Sequence, residues 1–411
     1  MSKNNESKFV PKYRFSEFAD SGEWEEKQLG EIGEFIGGGT PDTSVQEYWN
    51  GEIQWFTPTE IKEKNIKRSL RTITQKGLQN SSAKLLPNGT LLITTRATIG
   101  DVGIAIEECT TNQGFQSLVV NDTENNLFWY YWITQHKNEL KRKSSGSTFP
   151  EIGKNEIIKI KAFSPNKDEQ KKIADCLSSL DDVITAESQK LQVLKEHKKG
   201  LLQNIFPQEG ETVPKLRFKE FEDSGEWEKK KLWEVATFVN EKTPLENLSI
   251  NTYISTENIL PDYAGVIISS KLPVFGNFTK YRKGDLLISN IRPYLKKVWF
   301  ADKNGACSND VIVIRANVIV SDIFLSGLLK NDAFIGYIMK GAEGVKMPRG
   351  DKDSIKEFVI LFPKNKSEQQ KIADCLLSLD EIITAQSQRV EALKLHKKGL
   401  LQGLFPNIDE Q

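Results

Sequence analysis

The chain has 411 residues, more than one ordinary hydrophobic core supports, so at least two domains are expected. Hydrophobic residues make up 38% and charged residues 27%, and no run reaches the roughly 18 apolar residues of a membrane span, which argues against a membrane-embedded protein. Lysine plus arginine equals aspartate plus glutamate at 56 each, so a solitary, strongly basic nucleic-acid binder is disfavoured; DNA binding has to use local patches or a basic partner.

The start, MSKNNESKFVPKYRF, lacks the basic, apolar and small-residue succession of a secretory signal, and a cytoplasmic address is expected. Residues 10–29, VPKYRFSEFADSGEWEEKQL, form a lead-in to a first domain spanning 1–165. Short runs such as GEIQWFT and TLLITTRATIGDVGIAI, broken by Gly, Pro and Asn, predict a mixed β-rich domain, with a helix over 126–143. Gly37-Gly38-Gly39-Thr40-Pro41 is not a phosphate loop, because no Gly-Lys-Ser/Thr follows and Pro41 has no amide donor; it reads as a tight turn near DNA, with Gly39 and Thr40 as contacts. Pro41-Asp42 with Glu60-Ile61-Lys62 carries the PD, E-x-K letters by which nucleases hold magnesium, but these letters are common and the second half of the chain has no equivalent.

Thr94-Thr95-Arg96-Ala97-Thr98 follows a strand and combines base-reading with phosphate-binding side chains, so Thr95, Arg96 and Thr98 are candidate groove contacts, together with Gln113 and the later loop residues Ser145, Ser147 and Thr148. Cys109, Cys176, Cys307 and Cys375 are far apart and form no ligand spacing with His136, His197 and His396, so neither disulfides nor a metal site is assigned.

The segment 166–207 reads as one long helix, capped by Asn166 with Glu169 three residues on as a capping box, and stopped by Pro207. Leu177, Leu180, Ile184, Leu191 and Leu194 recur at spacings of three and four, a coiled-coil seam, and such a helix spans about 50 Å at 1.5 Å per residue. Lys195 to Lys199 place positive charge near its end, suited to the helix dipole or to a phosphate.

The second half repeats this order. Residues 213–232, VPKLRFKEFEDSGEWEKKKL, match the first lead-in at 15 of 20 positions, and open a second β-rich domain over 208–363. Its candidate contacts are Asn290, Arg292, Tyr294 and Lys296, then Asn309, then Lys346 and Arg349. The final segment, 364–411, carries a second long helix whose residues 368–406 match 169–207 at 27 of 39 positions, with Leu376, Leu379, Ile383, Val390 and Leu393 in the seam and Asn365 and Glu368 at its start.

Between these matching ends the two inserts have diverged, leaving only echoes: Leu91-Leu92-Ile93 against Leu286-Leu287-Ile288, Asn112-Gln113 near Asn309-Asp310, and GSTFPEIGKNEI against GVKMPRGDKDSI. Equal ends imply contacts with each other and with two copies of one partner; unequal middles imply two different ligand surfaces.

The order of parts resembles the specificity subunits of type I restriction-modification systems over essentially the whole chain. The residues that carry this are the EWE-x-x-x-L lead-in, FIGGGTPDTSVQEYWNGEIQWFTPTEI, TLLITTRATIG with NQGFQSL, and the EQ-x-K-I-A helix, followed by a second round in which only the insert departs, lacking GGTP. The resemblance implies an α+β fold with two target recognition domains separated by two long antiparallel coiled-coil helices in a pseudo-two-fold repeat. It implies a non-catalytic chain without its own cofactor, in which each domain reads half of a split, asymmetric site in double-stranded DNA. Two methyltransferase subunits would dock on the helices, bind S-adenosylmethionine and methylate adenine N6, and two ATP- and magnesium-dependent restriction subunits would join to cleave unmodified DNA. The chain contains no Asn-Pro-Pro-aromatic methyltransferase string of its own. Two rival readings are a stand-alone nuclease using Asp42, Glu60 and Lys62, and a coiled-coil protein whose inserts bind proteins.

Overall fold

The computed structural model describes residues 9–146, 150–342 and 348–406. The chain divides into two compact units, Met1–Glu187 with Arg389–Gln411, and Ser188–Gln388, so the division cuts through both long helices.

In the first unit an antiparallel sheet runs in the order Gly33–Gly37, Phe115–Val120, Leu91–Thr94, Val102–Ala105, with Asn65–Ile66 added in parallel at the far edge. Leu91–Thr94 is buried on both faces, which is why it reads as an unbroken apolar run rather than an alternating one. A smaller sheet of Arg71–Ile73, Trp49–Phe56 and Cys109–Thr111 ends in a parallel pair. The expected helix over 126–143 is two helices, Asn126–Gln135 and Lys137–Arg142, interrupted where the His136 ring stacks on Trp132 and lies 2.8 Å from its carbonyl.

The second unit repeats the plan. Ala236–Phe238, Val311–Ala316, Leu286–Ser289 and Val298–Phe300 form the antiparallel sheet, so Leu286–Ser289 occupies the topological place of Leu91–Thr94. The other sheet, Lys242–Pro244, Asn277–Tyr281, Gly305–Cys307 and Tyr253–Ile254, also ends in a parallel pair.

Each lead-in is tied to the start of a long helix. The strand Glu25–Gln28 pairs with Lys161–Ser164, and Glu228–Lys231 pairs with Val359–Phe362. Arg14 makes a two-point contact with Glu169 at 2.8 and 2.7 Å, and the Trp24 indole donates to the same carboxylate. Arg217 and Trp227 hold Glu368 in the same way. The capping boxes expected at these helix starts do not form. Asn166 does accept from the Glu169 amide at 3.0 Å, and Asn365 from Ser367, but the two glutamate side chains reach the arginines and tryptophans instead of turning back to the cap.

The long helices are Lys167–Ile205 and Lys366–Leu404, each 39 residues and each ending just before its proline. Within the first unit, Glu187 pairs with Arg389 at 2.9 Å and Asp181 with Lys397, so their segments there run antiparallel. Within the second, Lys198 pairs with Asp380. Lys198 and Lys397 fall by their spacing in the sequence at polar slots of the seam as well as within the basic helix ends, and these pairs place them in the seam. Leu177, Leu376, Leu379 and Val390 are buried; Leu180, Ile184, Leu191, Leu194, Ile383 and Leu393 are half-buried, as two helices cover only part of each other's apolar stripe. The end of each helix completes the core of the unit it reaches: Leu401, Leu404 and Phe405 pack with Trp24 and Phe128, and Ile205 and Phe206 with Trp227 and Phe324.

Candidate nucleic-acid interface

In the first unit the antiparallel pattern places three loops on one edge of the main sheet: those after Gly33–Gly37, after Leu91–Thr94 and before Phe115–Val120. Main-chain bonds lock them together. The Thr95 amide donates to the Gly114 carbonyl at 2.8 Å, and the Ile152 amide to the Thr95 carbonyl at 3.2 Å. Ser145 and Glu151 exchange two bonds at 2.9 Å, and the Thr40 hydroxyl donates to Gln113 at 2.6 Å. The exposed guanidinium of Arg96 pairs with Glu151 at 2.7 Å.

The second unit builds the same edge from different side chains. The Asn290 amide donates to the Asp310 carbonyl at 2.9 Å, and the Gly350 amide to the Asn290 carbonyl at 3.1 Å. Asn290 therefore stands where Thr95 does, Gly350 where Ile152 does, and Asn309 where Gln113 does. Arg349, in the place of Glu151, pairs across 3.4 Å with Asp310, so the sign of the charge on the later loop is reversed between the units. Lys242 donates to Asn309 at 2.7 Å and Lys296 to Asp332 at 2.6 Å.

The short turn Pro293–Leu295 is flanked by Arg292 at φ 53° and Lys296 at φ 52°, both left-handed, and it lifts Tyr294 to 49% exposure. Asp262 and Tyr263, also left-handed at 52° and 60°, hold the turn by donating to the Leu295 and Lys296 carbonyls. Such conformations cost non-glycine residues about 1–2 kcal/mol each and persist where surrounding contacts over-determine them. The Asn290 carbonyl oxygen of the side chain is buried without a hydrogen-bond partner among the described residues.

Of the residues singled out from sequence, Thr40, Gln113, Arg96 and Ser145 lie exposed or half-exposed on the first edge with Thr98, and Arg292, Tyr294, Lys296, Asn309 and Arg349 lie on the second. Gly39 and Thr95 are buried. Gly39 gives its amide to Thr111 and its carbonyl to the Trp55 indole, and a Cβ there would meet the Ala83 amide at 2.3 Å, so it shapes the turn from within. Thr95 has its amide and carbonyl committed to the loop bonds. Ser147, Thr148 and Lys346 lie outside the described residues. Glu151 and Lys242 were not singled out, although superposing GSTFPEIG on GVKMPRGD places Glu151 against Arg349.

The nuclease letters serve local structure. Asp42 accepts from the Ser44 hydroxyl and amide, which hold its carboxyl below the usual range, and Glu60 accepts from Thr57 and from the Leu70 amide. Among the described residues no group of three or more His, Cys, Asp or Glu converges as a metal site, and no helix is long and apolar enough to cross a membrane.

The chain matches the family described as the type I restriction modification DNA specificity domain twice, over residues 21–196 and 224–395. It is 37% identical over 210 residues to the type I restriction enzyme MjaIX specificity subunit of Methanocaldococcus jannaschii, a match spanning 48% of this chain and about half, 49%, of that relative. The MjaVIII specificity subunit of the same organism is 25% identical over 409 residues, 93% of this chain and 92% of that one. The S subunit of a type I restriction-modification system from M. genitalium shares the fold, with a TM-score of 0.59 over 97% of this chain and 100% of that one; at 15% identity this likeness speaks for the fold alone.

Proposed function

This chain belongs to the family of type I restriction-modification DNA specificity subunits, and from that premise we propose that it reads a split, asymmetric site in double-stranded DNA, one half with each unit, and leaves the chemistry to its partners. The observation that carries the reading is the pair of sheet edges: one hydrogen-bonded loop scaffold, built twice, presents Arg96, Gln113 and Glu151 in one unit and Arg292, Asn309 and Arg349 in the other. A shared scaffold with unlike polar side chains is what reading two unlike base sequences requires.

Two methyltransferase subunits dock on the matching long helices, bind S-adenosylmethionine and methylate adenine N6 in each half-site, with the base flipped out of the duplex while this chain holds the DNA. Two restriction subunits using ATP and magnesium join them to cleave unmodified DNA, and the assembly works in the cytoplasm. The neutral balance of 56 basic and 56 acidic residues fits a reader whose partner supplies part of the phosphate clamp. The paired helices set the gap, and half-site centres about 10 base pairs apart suit such a ruler.

Replacing residues 91–165 with the equivalent segment of a relative of different specificity, then mapping methylated adenines in the host, tests the reading. One half of the methylated sequence changes and the other stays; a change in both halves, or in neither, overturns it.

A further inference from the structure

The second unit exposes two large apolar residues that the polar edge does not use: Val274 is 87% exposed and Phe275 85%. They form the tip of Leu272-Pro273-Val274-Phe275-Gly276-Asn277, which leads into the strand Asn277–Tyr281. The root of this tip is anchored. Leu272 on one side and Phe278 on the other pack with Tyr253 and Ala306, and the Phe278 ring lies edge-on to Tyr253 at 5.5 Å. Pro273 fixes one shoulder, and Gly276 turns the other at φ 124°, a conformation that a side chain would strain. The chain thus spends two apolar anchors and two special backbone residues to hold two apolar side chains in water.

The tip adjoins the edge already described. The Asn309 side chain donates to the Asn277 carbonyl at 3.4 Å, and Lys242 bonds both Asn309 and Thr279. A narrow apolar tip beside amides and a lysine fits stacked bases flanked by phosphates better than a flat protein surface, because apolar wedges entering a base step unstack it and bend the duplex while neighbouring cations hold the backbone.

We propose that Val274 and Phe275 form a wedge that enters between two base pairs of the half-site read by the second unit. This rests on the reading that the sheet edge faces DNA. The wedge opens the stack on one side of that half-site, which lowers the cost of extruding the adenine that the methyltransferase must capture, since unstacking is part of that cost.

The test uses the full chain assembled with its methyltransferase subunits and duplexes carrying 2-aminopurine at successive steps of the mapped site. In the wild type one step away from the methylated adenines brightens on binding. Phe275→Ala abolishes that signal and weakens binding about tenfold, the scale of one lost base–aromatic stack, with the salt slope unchanged; Phe275→Trp keeps both. Unchanged brightness and affinity in Phe275→Ala overturn the wedge, as does loss of subunit assembly without DNA, which would make the tip a protein contact. Arg292→Ala separates the two ideas: if it lowers affinity and the salt slope while Phe275→Ala does nothing, only the wedge fails, and if both bind as wild type, the edge reading fails with it.

Discussion

Arg217 and Glu368 keep 7% and 0% of their side chains exposed, and their two-point contact, with the Trp227 indole on the same carboxylate, joins residues about 150 apart in sequence. Removing one member of a buried pair strands the other charge, so Arg217→Met lowers stability by about 3–5 kcal/mol, and adding Glu368→Leu restores a large part of it. Denaturant midpoints of the single and double variants check this. The same contacts explain a misreading: Asn-x-x-Glu at a helix start announces a capping box, and no local signal reveals that the carboxylate is claimed by an arginine and a tryptophan from the distant lead-in. Likewise Gly39 and Thr95 were legible as loop residues, whereas their burial depends on Trp55, Ser82, Gly114 and Ile152, which come from other parts of the fold.

Lys330 carries a second residue-scale consequence. The residue is half-buried, and desolvation of its ammonium pushes its pKa down to about 8, a fall that Asp380 opposes and Lys198 reinforces. The unfolded chain holds that proton up to about 10.4, so between about 8 and 10.4 the unfolded state binds more protons than the folded one and stability rises with pH. Lys330→Met therefore stabilises the protein most below pH 8, and its advantage over the wild type shrinks as the pH climbs toward 10. Thermal midpoints measured from pH 6 to 10 read this directly.

At the scale of elements, the long helices were the most legible part, because a 3.6-residue apolar period over 39 residues, an asparagine start and a proline stop all agree. The strands were legible as short β-rich runs, but not their order, since pairing depends on partners far along the chain. One surface feature of the helices bears on assembly. Val183 and Ile382 occupy matching positions in the two copies and are 43% and 52% exposed. On the proposed docking, Val183→Glu removes one methyltransferase subunit from the assembly and Val183→Glu with Ile382→Glu removes both, with the thermal midpoint of the chain alone unchanged; native mass measurements of the complexes decide it. Leu376→Ala, by contrast, acts inside the chain. Leu376 is 4% exposed and lies in the core with Phe206, so its truncation costs about 2–5 kcal/mol.

At the scale of the whole molecule, each unit is assembled from the same parts: a lead-in, an insert, the first part of the helix that follows it, and the last part of the other helix. The duplication was plain in the matching ends. Equivalence of the inserts was visible only as three echoes, because binding surfaces diverge while the main-chain bonds beneath them keep their places without constraining side-chain identity. If those bonds make the two inserts interchangeable modules, exchanging residues 30–165 with 233–363 yields a folded chain that methylates the same site, because in a pseudo-two-fold repeat the exchange only swaps which strand each insert reads and the duplex sequence is the same from either strand. Sequencing of modified adenines in the host reads the outcome, and a lost or altered site would contradict it.

The borrowed helix ends also impose an order in time. The second unit, Ser188–Gln388, is complete when residue 388 has been made, whereas the first waits for Arg389–Gln411. The intervening segment Ser188–Gln388 is 201 residues, which at roughly 5–20 residues per second leaves the first-made half unfinished for about 10–40 s. During that interval Trp24, Phe128 and Leu177 lack Leu401, Leu404 and Phe405, the residues that cover them in the finished molecule. The half that leaves the ribosome first is thus the last to mature.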